Sequence, residues 1–141
     1  MMAIGSDHGG YVLKEKIKEF LREKDIEYKD FGCKTQESCD YPEIAKQVAN
    51  SVSNNECEKG ILVCGSGIGM SMAANKVKGI RAALCHDVNT AKLSRQQNNA
   101  NVLCLGERTI DNDLALEIVE AWLNTDFSND ERHERRIGKI E

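Results

Sequence analysis

Apolar positions along the chain follow two alternating patterns: short contiguous runs, and longer stretches where apolar residues recur every three or four positions. Met2 to Ile4 predicts a first strand, ending in Gly5-Ser6-Asp7-His8-Gly9-Gly10. From Tyr11 the period turns helical, with Leu13, Ile17, Phe20 and Leu21 on one face and charges on the other. Tyr28 to Phe31 predicts a second, partly polar strand stopped by Gly32. After a loop containing Asp40-Tyr41-Pro42, Pro42 is placed to open a helix whose apolar face is Ile44, Ala45, Val48, Ala49 and Val52.

Ile61-Leu62-Val63 predicts a buried third strand, and Met70 to Lys76 a helix of small residues. Ile80 to Cys85 is a fourth strand; His86-Asp87-Val88-Asn89-Thr90 opens a helix over Ala91, Leu93 and Ser94 that runs out in the polar segment Gln96 to Asn101. Val102 to Leu105 gives a fifth strand, ended by Gly106-Glu107-Arg108. Asp111 caps a helix bearing Leu114, Leu116, Ile118, Val119 and Trp122, and a last, charged helix covers Asp130 to Ile140.

Strand and helix alternate throughout, with room between strands only for crossover helices. The fold class expected is α/β: a three-layer, Rossmann-like open parallel sheet of about five strands with helices on both faces, in one domain spanning 1–141. Function then belongs at the C-terminal strand ends, at Asp7-His8, Cys64 with its glycines, His86-Asp87 and Gly106 to Arg108. The final helix has little apolar face to dock on its own domain, so it is expected to reach a partner subunit.

The junction of third strand and helix reads Cys64-Gly65-Ser66-Gly67-Ile68-Gly69. Alternating glycines allow backbone N–H groups to converge on an anion at a helix N-terminus. A thiol at the mouth of that turn is expected to ionise more readily than a free one. This predicts an anion pocket with a reactive cysteine at its edge. A dinucleotide fingerprint is the competing reading, but Gly65-x-Gly67-x-Gly69 is one residue short of it and follows the third strand, although Asp87 lies at a suggestive distance. No Lys and Ser/Thr follow the last glycine, which excludes a Walker loop. A merely tight turn would not require the cysteine and serine.

Composition narrows the classes. The 141 residues are 30% charged and 40% hydrophobic, ordinary for a soluble domain that folds without metal or disulfides. A net charge of −4 argues against a broad nucleic-acid surface, leaving one local basic patch at the C-terminus. There is no membrane-length apolar run and no signal-peptide pattern, so the expected location is cytoplasmic. The six cysteines form no C-x-x-C pair and no zinc spacing; in a reducing compartment most, Cys85 and Cys104 included, are expected to be small apolar fillers.

Asp7 and His8 could face the crevice for sugar hydroxyl and phosphate recognition; alternatively Asp7 simply caps the next helix. Arg132 and Arg136 are spaced to share a helix face and could clamp a phosphate by fork-like hydrogen bonds. The alternative is a solvated helix in which they pair with Glu131 and Glu134, and His133 is plain surface.

Together, Ser6-Asp7-His8-Gly9-Gly10, Asp40-Tyr41-Pro42, the run from Gly60 to Ser71, Ala73-Ala74-Asn75-Lys76, Gly79-Ile80-Arg81-Ala82, Leu93-Ser94-Arg95, Asn98 to Leu103 and Arg132-His133-x-x-Arg136 resemble the ribose-5-phosphate isomerase B family over essentially the whole chain. The wider family includes allose-6-phosphate and galactose-6-phosphate isomerases. The resemblance implies interconversion of ribose 5-phosphate and ribulose 5-phosphate through a cis-enediolate, without metal or other cofactor, in a homodimer or dimer of dimers with shared sites. It implies Cys64 as the base, with Gly65, Ser66, Gly67 and Gly69 amides and the Ser66 hydroxyl at the enediolate. Asp7 and Tyr41 would meet sugar oxygens, Asn98 the oxygen near the reacting carbon, and His8, Arg108, Arg132 and Arg136 the phosphate. Nucleic acid and membrane are not implied partners.

Two positions sort the chain within that pattern. Some members carry a glutamate base where this chain has Met70, which leaves Cys64 as the base. Members usually carry a ring-opening histidine where this chain has Gln97, and a glutamine exchanges no proton at neutral pH. Ring opening must then use another group, a bound water or the small open-chain fraction in solution, and Asp7, with Ser66 or water as relay, is the expected group. A six-carbon sugar phosphate, a non-catalytic phosphosugar sensor, and a thiol-redox role disfavoured by the lack of a resolving cysteine near Cys64 are the rival readings.

Overall fold

A computed structural model describes residues 1–141. Five parallel strands, β1 (Met2–Ser6), β2 (Tyr28–Asp30), β3 (Lys59–Cys64), β4 (Ala82–Leu84) and β5 (Val102–Gly106), form one sheet in the order β2-β1-β3-β5-β4. Six helices connect and flank them: α1 (Tyr11–Glu23), α2 (Tyr41–Ser53), α3 (Ile68–Ala74), α4 (Val88–Asn98), α5 (Asn112–Leu123) and α6 (Glu131–Ile140). The expected strands and helices are all present, with ends shifted by a few residues. No helix is long and apolar enough to cross a membrane.

Strand alternation divides the core. Met2, Ile4, Ile61, Val63, Leu103 and Leu105 face α1, α4 and α5, with Leu13, Ile17, Ala91, Ile118 and Trp122 opposite them. Ala3, Leu62, Cys64, Val102 and Cys104 face the other way, onto Ala45, Val48, Ala49 and Val52 of α2 and Met70 and Ala74 of α3. Because side chains alternate along a strand, Cys64 necessarily lies on the layer that holds α3.

The strand order puts a switch point between β1 and β3. From β1 the chain turns to α1 and then outward to β2, whereas from β3 it turns to α3 on the opposite face. Loops that diverge in this way leave a crevice at the C-terminal strand ends.

Two features depart from expectation. Cys33 and Cys39 are joined as a disulfide, with Cα atoms 6.6 Å apart, so these two are not apolar fillers; Cys57, Cys64, Cys85 and Cys104 are free and buried. Lys14, on the polar-looking side of α1, is fully buried. Its Nζ donates to both oxygens of Asp30 at 3.1 Å and to the Cys33 carbonyl, and Lys18 reaches the same carboxylate at 2.9 Å. Burial by itself would raise the Asp30 carboxyl; hydrogen bonds from Lys18, Gly32 and Lys14 outweigh it and hold the group below its ordinary value.

Candidate active site

β3 delivers Cys64 as its last residue, and the chain then reverses through Gly65, Ser66 and Gly67 into α3. Gly67 is the N-cap in a left-handed conformation at φ 79°, and a Cβ there would stand 2.5 Å from Leu84 Cδ1 and 2.9 Å from the Leu105 carbonyl carbon. Only glycine combines that dihedral with that approach. The turn aims the Gly67 N–H at the Cys64 sulfur, 3.1 Å away. The Ile68 N–H donates to Ser66 Oγ at 3.2 Å, and the N–H groups of Gly65, Ser66 and Gly69 have no acceptor within the chain. Gly69 is one of the free donors at the start of α3, and Gly65 and Ser66 are free donors of the turn before it.

The walls come from three other elements. Asp7 follows β1, with its N–H on the Val63 carbonyl at 3.2 Å. Its Oδ1 accepts the Gly10 N–H at 3.1 Å and so caps the short 3₁₀ turn His8–Gly10 that leads into α1 rather than α1 itself, while Oδ2 takes no hydrogen bond within the chain. Arg108, after β5, is tied to the turn by its N–H on the Gly65 carbonyl at 2.9 Å, and its guanidinium lies over Gly65. Tyr41, first in α2, lays its ring against Gly69, where a Cβ would be only 2.6 Å from Cε1. These residues enclose an open cleft of about 570 Å³ into which Cys64 and Ser66 face.

Ile68, Met72 and Thr109 also line the cleft, and the pattern of the sequence did not single them out. Ile68 and Met72 are a turn apart on α3 and are 48% and 64% exposed, an apolar rim beside a polar site. Thr109 was signalled only by adjacency to Arg108. Glu107 is a further residue missed: its Oε1 accepts the Leu13 N–H at 2.6 Å, joining the exit of β5 to the start of α1. His8 is exposed beside Asp7, and its Nδ1 accepts the Cys39 N–H at 3.3 Å.

Asn98, Arg132 and Arg136 are not brought to this cleft by their own chain. α4 leaves the C-terminal end of β4 and returns to the start of β5, so Asn98 lies at the N-terminal end of the strands, opposite the end that carries Cys64. α6 packs on α4, with the Ser128 N–H on the Gln96 carbonyl at 3.2 Å, and leaves Arg132 and Arg136 exposed. Gln97 is at the same remote end, and Met70 is fully buried under α3. His86 and Asp87, also at a C-terminal strand end, do not line the cleft; Asp87 caps α4 through the Thr90 N–H at 2.7 Å. No three His, Cys, Asp or Glu side chains are gathered to hold a metal ion.

Residues 2–140 match the family model described as Ribose/Galactose Isomerase. The chain belongs to this family. Within the ribose/galactose isomerases it is 45% identical over 139 residues to ribose-5-phosphate isomerase B of Escherichia coli, covering 99% of this chain and 93% of that one. The solved structure of ribose-5-phosphate isomerase B from Clostridium thermocellum superposes with a TM-score of 0.97 at 51% identity, covering 99% of this chain and 93% of that one. A D-erythrulose-4-phosphate isomerase of Pectobacterium atrosepticum is 43% identical over 127 residues, covering 89% and 84%. The fold is thus that of the solved ribose-5-phosphate isomerase B structure, and this chain carries Cys64 at the mouth of its glycine turn.

Proposed function

We propose that this chain is an aldose–ketose isomerase interconverting ribose 5-phosphate and ribulose 5-phosphate, without metal or cofactor, in the cytoplasm. The observation that carries the reading is the Cys64 sulfur held under the Gly67 N–H, facing a cleft with unpartnered amides and a guanidinium. Cys64, as thiolate, removes the proton from C2 of the open-chain aldose, and the electron pair moves into the C1 carbonyl to give a cis-enediolate. Preorganised N–H donors at Gly65, Ser66 and Gly69 take the developing negative charge, at about 3–4 kcal/mol per donor. With its Oγ accepting from Ile68, the Ser66 hydroxyl is free to donate a hydrogen bond to the same oxygen. Cys64 then returns its proton to C1 while a hydroxyl proton passes from O2 to O1, leaving the ketose.

Asp7, through Oδ2, is assigned the furanose ring-opening step in place of a histidine, and Tyr41 the sugar hydroxyls. Arg108, whose guanidinium lies over Gly65, and His8, exposed beside Asp7, are assigned the phosphate. The proposed active form is a homodimer or a dimer of dimers, in which Asn98, Arg132 and Arg136 of one copy complete the cleft of another. Two facts support that: these three side chains are remote from their own Cys64, and the cleft is rimmed by exposed Ile68 and Met72.

The test is ketose formation from ribose 5-phosphate in the presence of EDTA, with ketose formation from allose 6-phosphate and aldose formation from D-erythrulose 4-phosphate alongside. Turnover should persist in chelator and fall by roughly 10²–10⁴-fold in Cys64→Ala. Full activity in that variant would remove Cys64 from the chemistry, and preference for another sugar would reassign the substrate.

A further inference from the structure

Arg81 stands just before β4, outside the cleft, with 17% of its side chain exposed. Its backbone is pinned from both sides: its N–H donates to Asn101 Oδ1 at 2.8 Å, and its carbonyl accepts the Asn101 N–H at 3.0 Å. From that base its Nε donates to the Asn98 carbonyl at 3.0 Å and its Nη2 to the Asn99 carbonyl at 3.0 Å. These are among the last carbonyls of α4, which have no acceptor role inside the helix, and a cation at a helix C-terminus is favourable. The remaining arm, Nη1, pairs with the Glu141 carboxylate immediately after α6.

α6 needs such a tie because it has no buried residue. Only His133 and Ile137, one turn apart, are half-buried in it. At the start of α6 the Ser128 N–H holds the Gln96 carbonyl; at its end the only polar link is Arg81 to Glu141. Between β4 and that end lies a cavity of about 500 Å³, lined among others by Lys76, Lys78, Ser94 and Ile140, so apolar packing does not fix the helix end. One guanidinium fork therefore fastens the Asn98 end of α4 and the α6 that carries Arg132 and Arg136. A lysine, with a point charge and no fork, cannot span both.

We infer that Arg81 is a positioning residue that makes Asn98, Arg132 and Arg136 one rigid unit presented to the cleft of a second copy. The inference rests on the shared-site isomerase reading. Arg81 touches no substrate; it sets the distance between the group near the reacting carbon and the phosphate clamp.

The experiment is subunit complementation. Arg81→Met alone is expected to raise KM for ribose 5-phosphate about tenfold, the loss of one charge-assisted contact, with a smaller fall in kcat; Arg81→Lys should recover only part, and Glu141→Gln should raise KM a few-fold. A heterodimer of a Cys64→Ala chain with an Arg81→Met chain has one site that joins an intact Cys64 to an intact Arg81 unit. It should turn over at about half the wild-type kcat with wild-type KM, by the two-site count. A heterodimer that keeps the raised KM, or no heterodimer at all, overturns the inference. If the wild-type chain isomerises no sugar phosphate, the isomerase reading itself fails, and hydrogen exchange decides the tie: amides of 96–101 and 131–141 should lose protection together in Arg81→Met, and unchanged protection there overturns it.

Discussion

The Gly67 N–H points at the Cys64 sulfur from 3.1 Å, across a turn that only the left-handed Gly67 can close. Strand alternation puts the sulfur on the α3 side of the sheet, and the glycine brings the helix start down onto it. Gly67→Ala should therefore cost more than a turn substitution elsewhere. Its Cβ meets Leu84 and the backbone of Leu105, so a loss of about 1–3 kcal/mol in urea unfolding is expected. The displaced amide should also cut kcat by roughly 10²-fold.

Gly69→Ala acts on a different neighbour. The new Cβ would meet the Tyr41 ring, a side chain that can swing away, so the fold should be kept and the ring lost from the cleft. KM for the sugar phosphate is expected to rise about tenfold with little change in melting temperature, as for one lost hydrogen bond to substrate. Steady-state kinetics beside a thermal melt separate this from the Gly67 effect.

Cysteine chemistry should be selective. Cys64 opens on the cleft, whereas burial pushes the Cys85 and Cys104 thiols up from their ordinary values. Iodoacetamide near neutral pH should alkylate Cys64 and spare Cys85 and Cys104, and ribose 5-phosphate should protect Cys64. Peptide mass mapping reads the result; prompt labelling of Cys104 would contradict the buried assignment.

Asp7→Asn should separate two steps of the proposed reaction. Ring opening from the furanose should slow by roughly 10²-fold, while isomerisation of the open-chain fraction keeps most of its rate. Equal losses with both forms would return Asp7 to a purely capping role, the role its Oδ1 already fills.

The Lys14–Asp30 pair gives a pH signature. The folded-state carboxyl of Asp30 is held below its unfolded value, so its contribution to stability is present above the ordinary carboxylate range and is lost as pH falls through the lowered value. Asp30→Asn should destabilise by about 3 kcal/mol near neutral pH, leaving fully buried Lys14 with only the more distant Glu15 carboxylate and the Cys33 carbonyl, and should flatten the acid limb of stability. Urea midpoints of both proteins between pH 3 and pH 7, a range spanning roughly the carboxylate transition, test the sign.

Local chemistry fixed most of what the chain alone could disclose. Apolar runs at Ile61 to Val63 and Val102 to Leu105 marked buried strands because no exposed element tolerates them, and Asp111 and Pro42 marked helix starts by capping and φ restriction. The glycine turn with Cys64 was legible for the same reason: its function is carried by consecutive backbone groups. Lys14 was not, because its burial depends on Asp30 and the Cys33 carbonyl, contacts between segments that no helical period encodes. The Cys33–Cys39 pairing likewise depends on how the loop before α2 folds back.

The order of elements and the glycine turn with its sulfur were determined by the sequence, since each follows from neighbours within a few residues. Which side chains share a crevice was decided by the sheet order. It gathers Asp7, Tyr41, Cys64 and Arg108 at the C-terminal strand ends and carries Asn98 away from them. The physical reason is that a crossover helix in a parallel sheet runs back to the N-terminal end of the next strand, which takes Asn98 at the end of α4 with it, while Arg132 and Arg136 lie on α6 where that helix packs against α4.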